Sequence, residues 1–532
     1  MKTFLNGRNK HIIMKNYYEY LEFNGAALFT VICLPEESGK FPIVIRRDPY
    51  VDAVENSAED EIVANFAQSV EAWLSHGYAV VYQHCRGRGK SSGDCIPYIN
   101  EREDGLFLQD WVRSQSFYNG ELYLVGNSYK STVHQVTAPF ASDIKGAVLA
   151  VQDTERYNCN YRNGFYKMGL HGGWYVGMYK HKSIREKAYK PESYNMLPLI
   201  DFSKTVFGES VPSFDDILLH PDRNDDFWNT RAGGCDSRGA LTNANIPILV
   251  VTGFYDIYTG GMFDMWNAIS PETKAKCAML VHPYDHGNNK KGDQPIVFDD
   301  APTGEAALND IYLRWIESVR GKEAAPLERG KVTYYKLFGN QWCTDDFAAP
   351  EKSLTFALGD GEKTYTYNPY APAKFKGGLS ANFGGNAWQY KPNIQHDVLS
   401  FFTPEFEEDT FVKGKMTAKL RVRSDCEDTC FYIRLSICKE EGYYGLRDDI
   451  NQISNFAPDY IPGDEIEMDF TFDEHAFVIK KGEKLRIDVS SSAFPLYVRH
   501  TNNRGPFALQ TTAKVAHNTV VCEKSSVTLF IE

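Results

Sequence analysis

The chain has 532 residues, 43% of them hydrophobic and 24% charged, with a formal net charge of −13. At about 100–200 residues per domain this allows roughly three domains, and the acidic balance without a basic stripe argues against a nucleic-acid partner. No apolar run approaches the ~18–20 residues that span a bilayer, and MKTFLNGRNKHIIMKNYYEY at the N-terminus lacks a signal peptide's apolar stretch, so a cytoplasmic chain with no membrane partner is expected.

In chain order, residues 17–34 alternate in polarity around Asn24-Gly25 and predict a hairpin. FPIVIRRDPY (41–50) predicts a buried strand ending in a proline turn. AVVYQHCRGRGKSSGD (79–94) repeats that pattern, with a glycine-rich loop after the apolar residues. EDGLFLQDWVRSQ (103–115) has helical spacing. ELYLVG (121–126) predicts a strand, KSTVHQVTAPF a helix, and IKGAVLAVQD (144–153) another strand. Strands alternating with helices argue a parallel α/β sheet. Residues 154–240 are rich in Tyr, Asn, Gly and Trp and lack short β-branched runs. They predict a mostly helical insertion, with SFDDILLHPDRNDDFWNTR (213–231) as a helix beginning near Asp215 or Asp216. The α/β pattern resumes in IPILVVTGFYD (246–256), KCAMLVHPYDHG (276–287) and the amphipathic EAALNDIYLRWIESVRG (305–321). Beyond about 350, alternating runs such as DTFVKGKMTAKLRVRSD and CFYIRLSICKEE, broken by Gly, Asp and Asn turns, predict an all-β sandwich or jelly roll. The domains expected are therefore an α/β core over 1–153 and 241–348, a helical insertion over 154–240 and an all-β sandwich or jelly roll over 349–532.

Three residues stand at the ends of predicted strands in a chemically meaningful order. Acyl transfer by serine needs a base for the hydroxyl, an acid to orient the base, and donors for the oxyanion. Ser128 follows LYLVG, Asp256 follows ILVVTGFY, and His286 follows AMLV and its loop. Serine, acid, histidine is the order found on α/β-hydrolase sheets. Taken singly, Ser128 and Asp256 would read as helix N-caps and His286 as a loop histidine.

Other chemistries fail. RGRGKSSGD is not a phosphate loop, because the first glycine of that motif is His84 here. His282 and His286 lie in a proline-containing loop, not on a zinc-binding helix, and His171 reads as a structural loop histidine. Eleven cysteines, an odd count with no CxxC, predict free thiols rather than a disulfide framework. No metal and no organic cofactor is implied.

These stretches resemble the cocaine-esterase-like (CocE/NonD) hydrolases, which share a fold with X-Pro dipeptidyl-peptidases and α-amino-acid ester hydrolases. The resemblance rests on RRDPY (46–50), CRGRGKSSGD (85–94), EDGLFLQDWVRSQSFYNGELYLVGNSY (103–129), GFYD (253–256) and HPYDHG (282–287), and further on, for the family's β domain, on YNPYAPAKFKGG (367–378), DTCFYIRLSI (428–437) and LRIDVSSSAFP (485–495). It implies an α/β-hydrolase core, an inserted helical cap and a C-terminal jelly roll, with Ser128 as nucleophile, Asp256 as acid and His286 as base. It further implies an oxyanion hole made by the Tyr50 hydroxyl and the Tyr129 amide. A pocket between cap and core is expected, lined by Tyr258, Phe254, Trp174 and Tyr157. Lys130-Ser131 stands where the family has x-Gly at the nucleophile turn. A lysine there could reach solvent, or reach into the pocket and bind an anion.

The function expected is a serine hydrolase that cleaves an ester through an acyl-enzyme. Amide cleavage, as in an X-Pro dipeptidyl-peptidase or an amino-acid ester hydrolase or acylase, is the alternative, and Asp153 and Glu155 are its candidates for holding a substrate ammonium. A catalytically silent scaffold that binds peptide or carbohydrate is a second alternative. The partner expected is a small ester or a short peptide or amide, with a homodimer as the possible assembly.

Overall fold

The computed structural model describes residues 15–187, 191–229, 241, 243–288, 296, 298–301, 304–374, 376–378 and 387–532. Its centre is a ten-stranded mixed sheet. The strands in chain order are β1 (Lys15–Phe23), β2 (Ala26–Leu34), β3 (Phe41–Asp48), β4 (Ala79–His84), β5 (Tyr118–Asn127) and β6 (Ile144–Ala150). A two-stranded hairpin follows in the insertion, β7 (Tyr161–Arg162) with β8 (Phe165–Tyr166). The sheet then resumes with β9 (Ile248–Gly253), β10 (Ala278–His282), β11 (Val332–Lys336) and β12 (Gln341–Asp345). The spatial order is β1-β2-β4-β3-β5-β6-β9-β10-β11-β12. The strands from β4 to β11 pair in parallel; β1, β2 and β12 are antiparallel additions at the edges. Strands β4, β9 and β10 are buried along their whole length, as expected of parallel strands covered on both faces.

Local chemistry explains the elements that the sequence predicts. Asn24 and Gly25 both take positive φ (46° and 73°), which a two-residue hairpin turn requires. The helix Glu305–Val319 lays its apolar residues Tyr312, Leu313, Trp315 and Ile316 against one face of the sheet. The glycine-rich loop after β4 is tied to itself and its surroundings. Arg86 bonds Asp104 (2.6 Å), Ser91 Oγ donates to the His84 carbonyl (2.8 Å), and Arg88 donates to the Pro49 carbonyl (2.8 Å). The last bond holds the turn that carries Tyr50.

The insertion differs from its predicted form in two places. The helix near 213–231 runs only over Pro212–Leu218. It begins on Pro212, whose fixed φ suits the first turn. Asp215 is not its start; from one turn inside, its carboxylate accepts the Val211 amide at 3.1 Å. Pro221 follows closely and a short 3-10 turn forms at Asp226–Asn229, while 230 and 231 lie outside the described residues. The β7–β8 hairpin was not expected, because strands of two residues carry no periodicity. It reaches the C-terminal domain through Arg162, which bonds Asp449 (2.8 Å) and Asp473 (2.9 Å).

Residues 352–531 form two further antiparallel sheets of six and four strands, the all-β C-terminal domain. Their inward residues, Leu420 and Phe470 from one and Ile433 and Ile487 from the other, share one buried cluster. This domain touches the central sheet directly. Leu337 exchanges backbone hydrogen bonds with Ala476 and Val478, and Arg447 donates to the carbonyls of Phe254 and Glu474. Among the described residues no helix is long and apolar enough to cross a membrane.

Candidate active site

Ser128 occupies the turn between β5 and the helix Tyr129–Gln135, with φ 55° and ψ −137°. Such a backbone costs a non-glycine residue about 1–3 kcal/mol and persists only where its surroundings over-determine it. Here the Ser128 amide donates to the Ala150 carbonyl (2.9 Å) and its carbonyl accepts from the Ser131 amide (2.7 Å). Helix and strand approach so closely that a Cβ on Gly126 would lie 2.1 Å from the Lys130 carbonyl oxygen. Gly126→Ala is therefore expected to destabilise the fold by about 2–3 kcal/mol, as overpacking does, with a lower urea midpoint as the readout. Ser131 is fully buried in the same turn, its hydroxyl without a hydrogen-bond partner. A serine is small enough to replace the glycine of the resembled motif.

Residues 128, 256 and 286 meet at the C-terminal ends of three parallel strands. His286 Nε2 lies 2.9 Å from Ser128 Oγ, and His286 Nδ1 lies 2.9 Å from Asp256 Oδ2. Asp256 is fully buried; its other oxygen accepts the Tyr258 amide at 2.7 Å. A carboxylate can only accept, so Nδ1 carries the ring proton and Nε2 is free to take the serine proton. Burial pushes the His286 pKa down, but the charge and hydrogen bond of Asp256 outweigh burial and leave it above the ordinary histidine value.

Two tyrosines stand beside Ser128. Tyr50 is 41% exposed, yet its hydroxyl faces inward, 3.5 Å from Ser128 Oγ. Burial raises the hydroxyl's pKa against the opposing hydrogen bonds from Ser128, Trp174 and the Tyr129 amide, so it stays protonated. Trp174 Nε1 donates to that hydroxyl at 3.1 Å. An indole N–H can only donate, so the tyrosine proton is left for another acceptor. Tyr129 is pinned from behind: its hydroxyl donates to Glu101 (2.7 Å) and accepts the Tyr98 amide (2.7 Å), while Arg47 pairs with the same carboxyl group at 3.3 Å.

A cavity of about 590 Å³ opens over Ser128 between the insertion and the core. Trp174, Tyr98, Tyr258 and Leu170 form its aromatic and apolar side. Tyr98 and Trp174 stack at 5.4 Å, and the Tyr258 hydroxyl meets His171 Nε2 at 3.2 Å. His171 is thus a helical residue of Met168–Gly177 facing the cavity, not a loop histidine.

Two expected lining residues are elsewhere. Tyr157 faces a second, larger cleft of about 850 Å³ between the insertion and the C-terminal domain, where its hydroxyl donates to the Pro221 carbonyl at 2.9 Å. Phe254 is fully buried against His475 (ring centroids 5.0 Å apart) and Phe347, at the seam with the C-terminal domain. It directly follows β9 and opens the turn there, which the Asp256 amide closes on the Gly253 carbonyl at 3.0 Å. The sequence also missed Arg46 and Tyr98, both of which line the cavity. Strand alternation held a signal for Arg46: Arg47 is buried toward Glu101 and Asp104, so its neighbour on β3 faces the other way. Asp153 and Glu155 do not line this cavity. Asp153 borders the second cleft, burial pushing its carboxyl up to about 7, and Glu155 pairs with Arg223 at 2.6 Å.

The chain matches known proteins over most of its length. Residues 24–288 match the X-Pro dipeptidyl-peptidase (S15 family) model, and residues 328–528 match that of the X-Pro dipeptidyl-peptidase C-terminal non-catalytic domain. The cocaine esterase of Rhodococcus sp. (strain MB1 Bresler) is 23% identical, over 91% of this chain and 92% of that protein. An aminopeptidase from a marine sediment archaeon (Thaumarchaeota archaeon) superposes with a TM-score of 0.83 at 17% identity, over 100% of this chain and 98% of that one. An α-amino acid ester hydrolase superposes with a TM-score of 0.81 at 18% identity and the same coverage. At such identities the solved structures show a shared fold.

Proposed function

We propose that this chain, a serine hydrolase belonging to the X-Pro dipeptidyl-peptidase (S15) family, cleaves small carboxylic esters through an acyl-enzyme on Ser128. His286 takes the Ser128 proton as the hydroxyl attacks the ester carbonyl, then returns it to the departing alcohol. Asp256 holds the ring tautomer and stabilises the imidazolium. The carbonyl oxygen, negative in the tetrahedral intermediate, accepts from the Tyr50 hydroxyl and the Tyr129 amide. Water, activated by the same histidine, then releases the acid. The unbroken hydrogen-bonded chain Asp256–His286–Ser128 supports these roles.

The preference for esters over N-terminal peptide cleavage rests on one observation. Among the described residues that line the cavity there is no Asp or Glu, while Arg46 and Lys130 are both present. An aminopeptidase or dipeptidyl-peptidase substrate brings an α-ammonium into the site, and a desolvated cation needs a carboxylate partner. Cocaine esterase, a relative by sequence, is an ester hydrolase by name.

Turnover of p-nitrophenyl butyrate beside Ala-Pro-p-nitroanilide tests the reading. Ester hydrolysis well above anilide hydrolysis supports it. Dominant anilide hydrolysis would replace it with the peptidase. Absence of both, with no fluorophosphonate label on Ser128, would leave a silent scaffold. Within this mechanism Tyr50→Phe is expected to lower kcat by about 10²–10³-fold, the loss typical of one oxyanion donor. KM should change little, because the donor acts on charge that develops after binding.

A further inference from the structure

Two neighbouring arginines on β3 have opposite surroundings. Arg47 is fully buried and compensated: Nη1 lies 3.3 Å from Glu101 and Nη2 lies 3.7 Å from Asp104. Arg46, on the other face, lines the cavity over Ser128, is half-buried, and has no hydrogen bond or ion pair among the described residues. Its cross-strand partner on β4, Tyr82, directs its hydroxyl to Asp48 at 3.3 Å instead.

Lys130 brings a second cation to the same wall from the first turn of the helix after Ser128. Its Nζ lies 3.7 Å from Asp48, beyond hydrogen-bond length. Asp48 is already engaged by the Tyr50 amide at 2.8 Å. Asp48 thus serves Lys130, and no carboxylate among the described residues pairs with Arg46. A third guanidinium, Arg156, lies behind the aromatic side, 3.1 Å from the Tyr98 ring centroid. It is 3% exposed, and two of its nitrogens have no partner. Positive walls in a chain of net charge −13 concentrate the field of a few groups at one place. An unpaired, partly desolvated guanidinium presents a planar fork of donors that fits a carboxylate.

We propose that Arg46 and Lys130 form an anion subsite, so that the preferred ester carries a carboxylate or similar compact anion within a small molecule's reach of Ser128. The inference deepens the esterase reading and rests on it for the reacting bond. The anion could belong to the acyl half or to the leaving alcohol, and the two are separable by experiment.

The acyl arm compares p-nitrophenyl hydrogen glutarate with p-nitrophenyl butyrate. The leaving-group arm compares carboxy-p-nitrophenyl butyrate with the same neutral ester. At least one anionic ester is expected to exceed the neutral one about tenfold in kcat/KM, the size of one charged hydrogen bond. The arm that responds assigns the anion. In the double variant Arg46→Gln, Lys130→Met that ratio should fall toward one, and Arg46→Lys should keep part of it. A ratio near one in the wild type, or a ratio unmoved in the double variant, overturns the subsite and leaves the esterase standing. If the wild type turns over no nitrophenyl ester, the esterase reading is what fails. The subsite is then judged by calorimetry on Ser128→Ala with monomethyl glutarate against dimethyl glutarate. Binding of the monoanion alone, lost when Arg46→Gln is added, supports it; equal binding or none overturns it.

Discussion

Ser128→Ala is expected to lower kcat for p-nitrophenyl butyrate by at least about 10⁵-fold, the scale seen when a triad nucleophile is removed. The geometry makes the loss large and clean. Ser128 Oγ is the only hydroxyl within hydrogen-bond reach of His286 Nε2, at 2.9 Å, among the described residues. Alanine removes the attacking atom and leaves the oxyanion donors in place, so residual activity should come from them and from binding alone. The fold should tolerate the change. The strained backbone at φ 55° belongs to the turn, and its bonds, to Ala150, Ser131 and Thr132, are made by backbone atoms. His286 is 19% exposed at its side chain and can bond water where the hydroxyl was. The check is a single-turnover assay beside a thermal melt. Loss of activity with an unchanged melt identifies the nucleophile. Retained turnover would move the chemistry to another residue.

Asp256→Asn is expected to lower kcat about 10⁴-fold near neutral pH and to shift the acid limb of the pH profile. The carboxylate accepts on both sides, from the Tyr258 amide at 2.7 Å and from His286 Nδ1 at 2.9 Å. A carboxamide would keep its oxygen toward the Tyr258 amide and turn its NH₂ toward His286. Nδ1 must then accept, the ring proton moves to Nε2, and the base can no longer take the serine proton. The pH effect has a definite sign. His286 acts as a base only when neutral, so activity rises as pH passes through its pKa. Asp256 holds that pKa above the ordinary value; without the charge the pKa falls and the limb moves to lower pH. The profile of kcat/KM against pH for the two proteins reads both effects. Asp153→Asn is the comparison: its carboxyl also titrates high, at about 7, but in the second cleft. A limb that moves with Asp153 and not with Asp256 would reassign the titrating group.

The candidate site was legible in the sequence where local chemistry writes it. Ser128, Asp256 and His286 each follow a buried strand. A parallel sheet puts the ends of its strands on one edge, so strand order alone brings such residues near one another. The Asn24-Gly25 hairpin and the short alternating runs after 350 were readable for the same reason. Turn type and side-chain alternation depend on residues only a few positions apart.

The lining of the cavity was not legible in the same way. Tyr157 and Phe254 were expected there on chemical type, but the insertion has no strong periodicity to orient its faces. Tyr157 instead packs with Tyr161, at 5.3 Å between ring centroids, toward the second cleft. Phe254 is claimed by His475 of the C-terminal domain, more than two hundred positions along the chain. Trp174 reaches Tyr50 across 124 positions, and its donor bond is what leaves the tyrosine proton free. Sequence by itself therefore determined most strands of the central sheet, the Asn24-Gly25 turn and the order of the candidate groups along the chain, because these follow from neighbouring residues. Tertiary structure alone decided which side chains face Ser128. That choice depends on how distant elements exclude one another from the same buried space, and it left Arg46, rather than a carboxylate, at the wall of the cavity.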